Sequence, residues 1–208
     1  ANKITYFTPR MAGFQLGASY TPNVDNRSGD RQTFGLNTDN NVGAFDKVIS
    51  LGANYVQSFQ AVDIAISAGY ERQALQANSA SSPSLYDDIS EWQVGANVGF
   101  AGFTVGGSYG YEDVEGRGAG IDNTVFWDVG VQYGTGPWNV SLTYADSKAE
   151  FVSSSADDKR KKFELGASYK LSPGITVVGS GQYQKEETAG SSTDIKGWGV
   201  ALGTKLSF

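Results

Sequence analysis

The sequence predicts an all-β fold, an antiparallel β-barrel that crosses a membrane. Three observations predict it: apolar and polar residues alternate, short and long connections alternate, and aromatic residues gather at both ends of the apolar stretches. Strands of a transmembrane barrel present apolar side chains to lipid and polar side chains to the lumen at every second position. Their hydropathy therefore averages out, and the lack of an apolar run of about 18 residues is compatible with this fold.

Period-2 alternation predicts eleven strands and no helix. In VDIAISAGY, for example, Val62, Ile64 and Ile66 share one face, whereas Asp63 and Ser67 share the other. The same alternation runs through EWQVGANVGF and WNVSLTY. In chain order, the predicted strands are 3–9, 14–22, 47–57, 62–72, 90–100, 103–112, 124–134, 138–147, 161–171, 175–185 and 195–208.

Short and long connections alternate strictly between these strands. The short ones are 10–13, 57–61, 101–102, 134–137 and 172–174. The long ones fall near 23–46, 73–89, 113–123, 148–160 and 186–194. A soluble β-sandwich has no reason to place every long loop at one end, but outer-membrane barrels have short periplasmic turns and long extracellular loops.

The aromatic residues on the apolar face are predicted to form two girdles around an aliphatic band. The short-turn end carries Tyr55, Phe100, Phe103, Tyr133, Trp138, Tyr169 and Phe208. The long-loop end carries Tyr20, Tyr70, Trp92, Tyr109, Tyr111, Trp127, Tyr144, Phe163 and Trp198. Such girdles match the two interfaces of a bilayer, whereas a globular core buries its aromatic residues centrally.

The opposite, polar face is predicted to line the lumen of the barrel. Polar groups stay hydrated there, while on the lipid face they would cost a few kcal/mol. The predicted pore-lining residues are Asp63, Glu71, Glu91, Gln93, Asn97, Asp128, Gln132, Lys162, Glu164, Lys170, Gln182, Gln184 and Lys205, with Ser67 and Ser168 between them. The alternative for each residue is that it only forms part of the water-exposed wall and has no role in selectivity.

The composition excludes several other functions. The chain has no Cys and no His, so disulfide scaffolds, thiolate chemistry and the usual catalytic triads are absent. Asp63 and Glu71 share a face but lie roughly 26 Å apart along a strand, too far for a glycosidase pair. The acidic loops lack the spacing of a calcium site. We expect no enzyme activity, cofactor or metal, and the net charge of −6 argues against nucleic-acid binding.

One basic run, Lys159 to Lys162, stands out in this acidic chain. At the outer rim of a strand, Lys159, Arg160 and Lys161 are placed to hold lipopolysaccharide phosphates by charge-assisted contacts. The alternative is a solvated loop base, and the sequence does not decide between the two.

The number of predicted strands indicates that they do not form a closed barrel by themselves. Bacterial single-chain barrels have even strand numbers, and here eleven strands start and end on opposite sides. Residues 1–208 are therefore expected to form one barrel domain that lacks its N-terminal strands.

Two stretches carry a family resemblance: NKITYFTPRMAGFQLGASYTP at residues 2–22, and the last strand, IKGWGVALGTKLSF, which ends in an aromatic residue. They resemble the trimeric general porins of Gram-negative outer membranes, especially the alphaproteobacterial type. The resemblance implies strands six to sixteen of a sixteen-stranded barrel, a homotrimer, and a constriction loop outside this chain. Thr204 departs from the usual terminal signal, which prefers an apolar or aromatic residue there.

These observations predict an outer-membrane porin through which small hydrophilic solutes and ions diffuse passively. Membrane lipid and lipopolysaccharide are the expected surroundings. Two alternatives remain open: a non-conducting structural or anchoring outer-membrane barrel, and a soluble β-rich carbohydrate-binding protein.

Overall fold

The computed structural model describes residues 3–23, 45–75, 88–114, 121–151 and 157–207. Within them the chain forms one antiparallel sheet whose eleven strands follow one another in sequence order. The strands are β1 Ile4–Phe7, β2 Phe14–Asn23, β3 Phe45–Phe59, β4 Val62–Leu75, β5 Ile89–Phe100, β6 Phe103–Asp113, β7 Ile121–Thr135, β8 Trp138–Phe151, β9 Asp158–Ser172, β10 Ile175–Glu187 and β11 Ile195–Leu206. The predicted all-β fold with eleven strands is confirmed.

The strand ends differ from the prediction in a consistent way. β1 is shorter than predicted, whereas β4, β7, β8 and β9 run three or four residues further toward the long connections. The hydrophobic alternation stops where the apolar stretch ends, but the backbone ladder continues through polar residues, as in the pairs Thr124–Ala149 and Val125–Lys148. The apolar pattern alone therefore underestimates strand length.

Each strand pairs with the next one along the chain, so the sheet is a continuous meander. The tight connections 60–61, 101–102, 136–137 and 173–174 all lie at one end of the sheet. The six-residue connection from β1 to β2 lies at the same end and contains an isolated bridge between Met11 and Phe14. All the longer connections join the strands at the other end, which confirms the predicted alternation.

The sheet is a single layer without an interior core. Among the described residues, the only buried hydrophobic side chains are Val48, Ile89 and Val114. Large apolar residues in the middle of strands remain exposed: Leu142 is 50% exposed and Leu165 is 57% exposed. Contiguous apolar surface of this extent on a water-soluble monomer would be unusual, so this face requires an apolar medium.

The turn between β5 and β6 shows how the hairpins close. Ala101 and Gly102 have φ values of 50° and 84°, and positive φ at both central residues matches the twist of a two-residue hairpin. The Gly102 carbonyl also accepts a hydrogen bond of 2.8 Å from the Gly134 backbone N–H of the next hairpin. A Cβ atom at Gly102 would lie 2.6 Å from the Gly134 carbonyl oxygen, so this position demands glycine.

We predict that Gly102→Ala destabilises the folded protein by about 1–3 kcal/mol, because the backbone becomes strained and one of two hydrogen-bonded turns must move. Gly181→Ala is the control, since a Cβ there meets nothing within 4 Å. Guanidinium unfolding of both variants in detergent micelles measures the difference. Equal midpoints for the two variants would refute this role of Gly102.

Candidate functional site

Cross-strand pairing divides the sheet into a polar face and an apolar face. Residues of like character pair with one another across the strands from β4 to β9, where the described register has one irregularity, between Ile121 and Asn123 at the start of β7. One row on the apolar face is Val98, Val105, Val131, Leu142 and Leu165. The adjacent row on the polar face is Asn97, Gly106, Gly130, Thr143 and Glu164.

All thirteen residues predicted to line a pore lie within strands and on the polar face, as do Ser67 and Ser168. The hydrogen bonds of this face join residues of the same parity. Ser50 Oγ donates to Glu71, Ser58 Oγ donates to Asp63, and the Lys162 ammonium lies 2.8 Å from Glu164. That this face lines a pore stays a prediction.

A ladder of three glutamates crosses the polar face at the long-loop end. Glu71 pairs with Glu91, and Glu91 pairs with Glu112 on the next strand. Glu71 is held by Ser50 Oγ at 2.7 Å and by Gln73 Nε2 at 2.9 Å. Like charges directly opposite one another destabilise a sheet unless solvent screens them.

The middle of the polar face forms a depression of about 610 Å³. Its floor is made of small residues such as Gly95, Gly106 and Ser141, and Asn97 lies across Gly106, where a Cβ would meet its Oδ1. Asp128 is the only charged residue in the described lining, and its carboxylate accepts a hydrogen bond from Ser108 Oγ. The depression is thus a shallow part of the polar face that carries one acidic side chain.

Cations on the polar face concentrate on the last three strands. Lys170 and Lys205 both face Thr176 near the tight turns, and Arg160 Nη2 lies 3.0 Å from Glu186 Oε1 at the opposite end. The carboxylates on β4 to β7 have no cation directly opposite them in the register. The polar face is therefore acidic on β4 to β7, whereas β9 and β11 carry the basic strand residues Arg160, Lys162, Lys170 and Lys205.

Aromatic residues form a row at each end of the apolar face. Near the tight turns, ring centroids lie 4.4 Å apart for Phe103 and Tyr133 and 4.5 Å apart for Trp138 and Tyr169. Near the long connections, Tyr144 lies 4.6 Å from Phe163. Six residues separate Trp138 from Tyr144, or about 20 Å along the strand, comparable with the apolar band of an outer-membrane barrel.

The remaining predicted girdle residues follow the same arrangement. In the described ranges, Phe100 pairs with Phe103, Tyr55 stacks on Phe14, Trp92 contacts Tyr109 and Tyr111, and Trp127 contacts Tyr144. Tyr70 faces Trp92, Trp198 faces Tyr183, and Tyr20 lies opposite Ile49. Phe208 lies outside the described residues. That these rows mark bilayer interfaces stays a prediction.

Sequence reasoning missed three members of these sets. It left Glu112 out of the predicted pore-lining residues, and Phe14 and Tyr183 out of the girdles. Tyr183 pairs with both Phe163 and Trp198 and is 43% exposed on the apolar face. Parity along each strand would have found all three residues.

The described residues contain no helix that is both long and apolar enough to span a membrane. In the same part of the chain, no group of three or more acidic, His or Cys residues is arranged to hold a metal ion.

Comparison with known proteins gives one family. Residues 1–189 match the family described as Gram-negative porin. Two curated relatives are uncharacterized proteins of Rickettsia bellii and Rickettsia felis, 23% and 25% identical over the whole of this chain. The chain spans 57% of the length of each of these relatives.

Solved structures of outer-membrane proteins share the fold. OmpT of Vibrio cholerae superimposes with a TM-score of 0.67 at 14% identity, covering 98% of this chain and 63% of that one. The outer-membrane channel DcaP of Acinetobacter baumannii gives 0.64 at 14% identity, covering 99% and 62%. Salmonella typhi OmpF, solved with daunomycin, gives 0.61 at 14% identity, covering 97% and 61%.

Proposed function

We propose that this chain, which belongs to the Gram-negative porin family, forms part of the wall of a water-filled channel. Small hydrophilic solutes and ions would diffuse through this channel passively. The protein resides in the bacterial outer membrane, as its family and its structural neighbours indicate. The polar face would line the lumen, and the apolar face with its aromatic rows would contact lipid.

The glutamate ladder carries this proposal. Glu71, Glu91 and Glu112 stand opposite one another on three adjacent strands, and no described residue forms an ion pair with any of them. Three neighbouring carboxylates without cations are tolerable in water but very costly in a dry interior. The ladder therefore supports a lumen that contains water.

The same observation disfavours the alternative of a filled, non-conducting barrel, whose packed lumen would need a partner for each buried charge. The soluble carbohydrate-binding alternative is disfavoured by the exposed apolar face. Transport through such a wall needs no catalytic residue, and we propose no enzyme activity, cofactor or metal.

We further propose that additional strands complete the sheet between its two edges. In the described part of the chain, β1 pairs only with β2, and β11 pairs only with β10. Unpaired backbone N–H and C=O groups cost several kcal/mol each in hydrocarbon, so an open edge is not viable in a bilayer. The eleven strands would then be part of a sixteen-stranded barrel, and the assembly a homotrimer, as the resemblance implies.

Mass spectrometry of the protein isolated from its native membrane tests both proposals. We expect the denatured polypeptide to have a mass of about 35 kDa, as sixteen strands of about 20 residues each require, and the detergent-solubilised assembly three times that mass. A native polypeptide of 22.1 kDa, the mass of these 208 residues, would contradict closure by further strands of the same chain. A detergent-solubilised protein with the mass of a single polypeptide would contradict the proposed trimer.

The acidic ladder should make the channel prefer cations. We predict that the triple variant Glu71→Gln, Glu91→Gln, Glu112→Gln lowers the ratio of cation to anion permeability at least about twofold at 0.1 M salt. At 1 M salt the effect should be small, because the Debye length falls from about 10 Å to about 3 Å. Reversal potentials across a planar bilayer measure this ratio.

Glu150→Gln is the control for the face of the sheet, because it removes one carboxylate charge from the other face, where Glu150 pairs with Lys148 at 2.7 Å. Its permeability ratio should equal that of the unmodified protein. An unmodified protein that gives no conductance steps would refute the channel itself. An unchanged ratio in the triple variant would refute the role of the ladder.

A further inference from the structure

Charged side chains on the polar face have opposite sign at the two ends of the sheet. At the long-connection end, the glutamate ladder lies within four residues of the ends of β4, β5 and β6. Arg160 and Lys162 lie near the same end, but each forms an ion pair on this face, with Glu186 at 3.0 Å and with Glu164 at 2.8 Å. The described polar face of β4 to β11 therefore keeps negative charge at this end, which we call the acidic end.

The tight-turn end of the same face carries unpaired cations, and we call it the basic end. Lys170 on β9 and Lys205 on β11 lie on either side of Thr176, and both are exposed. Arg10, in the connection between β1 and β2, donates a hydrogen bond of 2.6 Å to Asn54 Oδ1, so its guanidinium lies on the polar face. No described residue forms an ion pair with any of these three cations.

One carboxylate opposes these cations. Among the described residues, Asp63 is the only acidic residue at the basic end, and it accepts a hydrogen bond of 2.5 Å from Ser58 Oγ. Asp63 and Glu71 of the ladder lie roughly 26 Å apart along β4, whereas the Debye length at 0.1 M salt is about 10 Å. The two ends of the polar face therefore act on ions as separate charged zones.

We propose that this division of charge makes the channel rectify, so that it passes more current in one direction than in the other. The acidic end admits cations and repels anions, and the basic end does the reverse. A field that drives cations inward from the acidic end also drives anions inward from the basic end, so both ions accumulate between the two ends. The opposite field draws both ions out, and each end repels their replacements. The inference rests on the proposed function, because the polar face must line a water-filled channel.

Single-channel recordings of the full native protein in a planar bilayer test this inference. At 0.1 M salt, we expect at least about 1.5 times more current when the chamber at the acidic end is positive than at the same voltage of opposite sign. At 1 M salt the two currents should become nearly equal, because the Debye length falls to about 3 Å. Equal currents at 0.1 M salt, or a larger current at the opposite sign, would overturn the proposal.

A cysteine on the connection between β10 and β11 identifies the chamber at the acidic end. Ser192 is exposed on this connection, and the 208 residues contain no native cysteine. A bulky thiol reagent that does not cross the channel should change the current of the Ser192→Cys variant only when it is added to the chamber that this connection faces. The unmodified protein should not respond to the reagent from either side.

The double variant Lys170→Gln, Lys205→Gln removes two of the three cations from the basic end. Its ratio of the two currents at 0.1 M salt should fall toward 1. The matched control is Lys161→Gln, Lys196→Gln, which removes two lysines from the same two strands, β9 and β11, but from the apolar face. This control should keep the ratio of the unmodified protein. An unchanged ratio in the first double variant would overturn the proposal.

Asp63→Asn gives a change of the opposite sign and decides the case if the double variant does not fold. It removes the negative charge that opposes the cations of the basic end, and the Asn oxygen can still accept the hydrogen bond from Ser58. The ratio of the two currents should therefore rise above that of the unmodified protein. An unchanged or lower ratio would overturn the proposal.

The same recordings separate this inference from the proposed function. Conductance steps of equal size at both voltages would refute rectification and leave the proposed channel standing. The absence of steps would refute the channel, and rectification with it.

Discussion

Backbone hydrogen bonding in a medium without water is the constraint on which the rest of this structure depends. Each peptide group that enters hydrocarbon must find its partner within the protein, and a meander of antiparallel strands gives each described strand from β3 to β10 a hydrogen-bonded neighbour on both sides, leaving the outer edges of β1 and β11 open. The tight turns follow from the same constraint, because they return the chain without leaving the ladder unpaired. The two open edges are then the strongest physical argument for a larger, closed barrel.

A single-layer sheet between two solvents explains the distribution of the side chains. Because the described strands enclose no interior core, each strand residue lies on either the apolar or the polar face, and its parity decides which one. This is why aliphatic residues as large as Leu202, at 85% exposure, remain uncovered, and why like charges can stand together on the other face. In a soluble protein the same two features would be strongly destabilising.

The alternation of apolar and polar residues made the strands and their two faces predictable from the sequence. Which residues are neighbours on adjacent strands could be determined only from the strand register in the structure. Where a two-residue turn joins two strands, the register follows from it: the pairing of Phe100 with Phe103 fixes the pairing of Glu91 with Glu112. The pairing of Glu71 with Glu91 spans a long connection, which leaves the register undetermined by local sequence. The glutamate ladder therefore emerged only from the structure, and Arg160 was grouped with Lys159 and Lys161 by proximity along the chain, although it lies on the opposite face of the sheet.

Cysteine scanning of β8 tests the central claim, that one face of the sheet meets water and the other meets lipid. The chain contains no native cysteine, so each introduced thiol reports on one position. In intact outer membranes, a water-soluble thiol reagent should modify cysteines at Asn139, Ser141 and Thr143 and should spare cysteines at Val140 and Leu142. Equal modification of both sets, or modification of only the second set, would contradict the account.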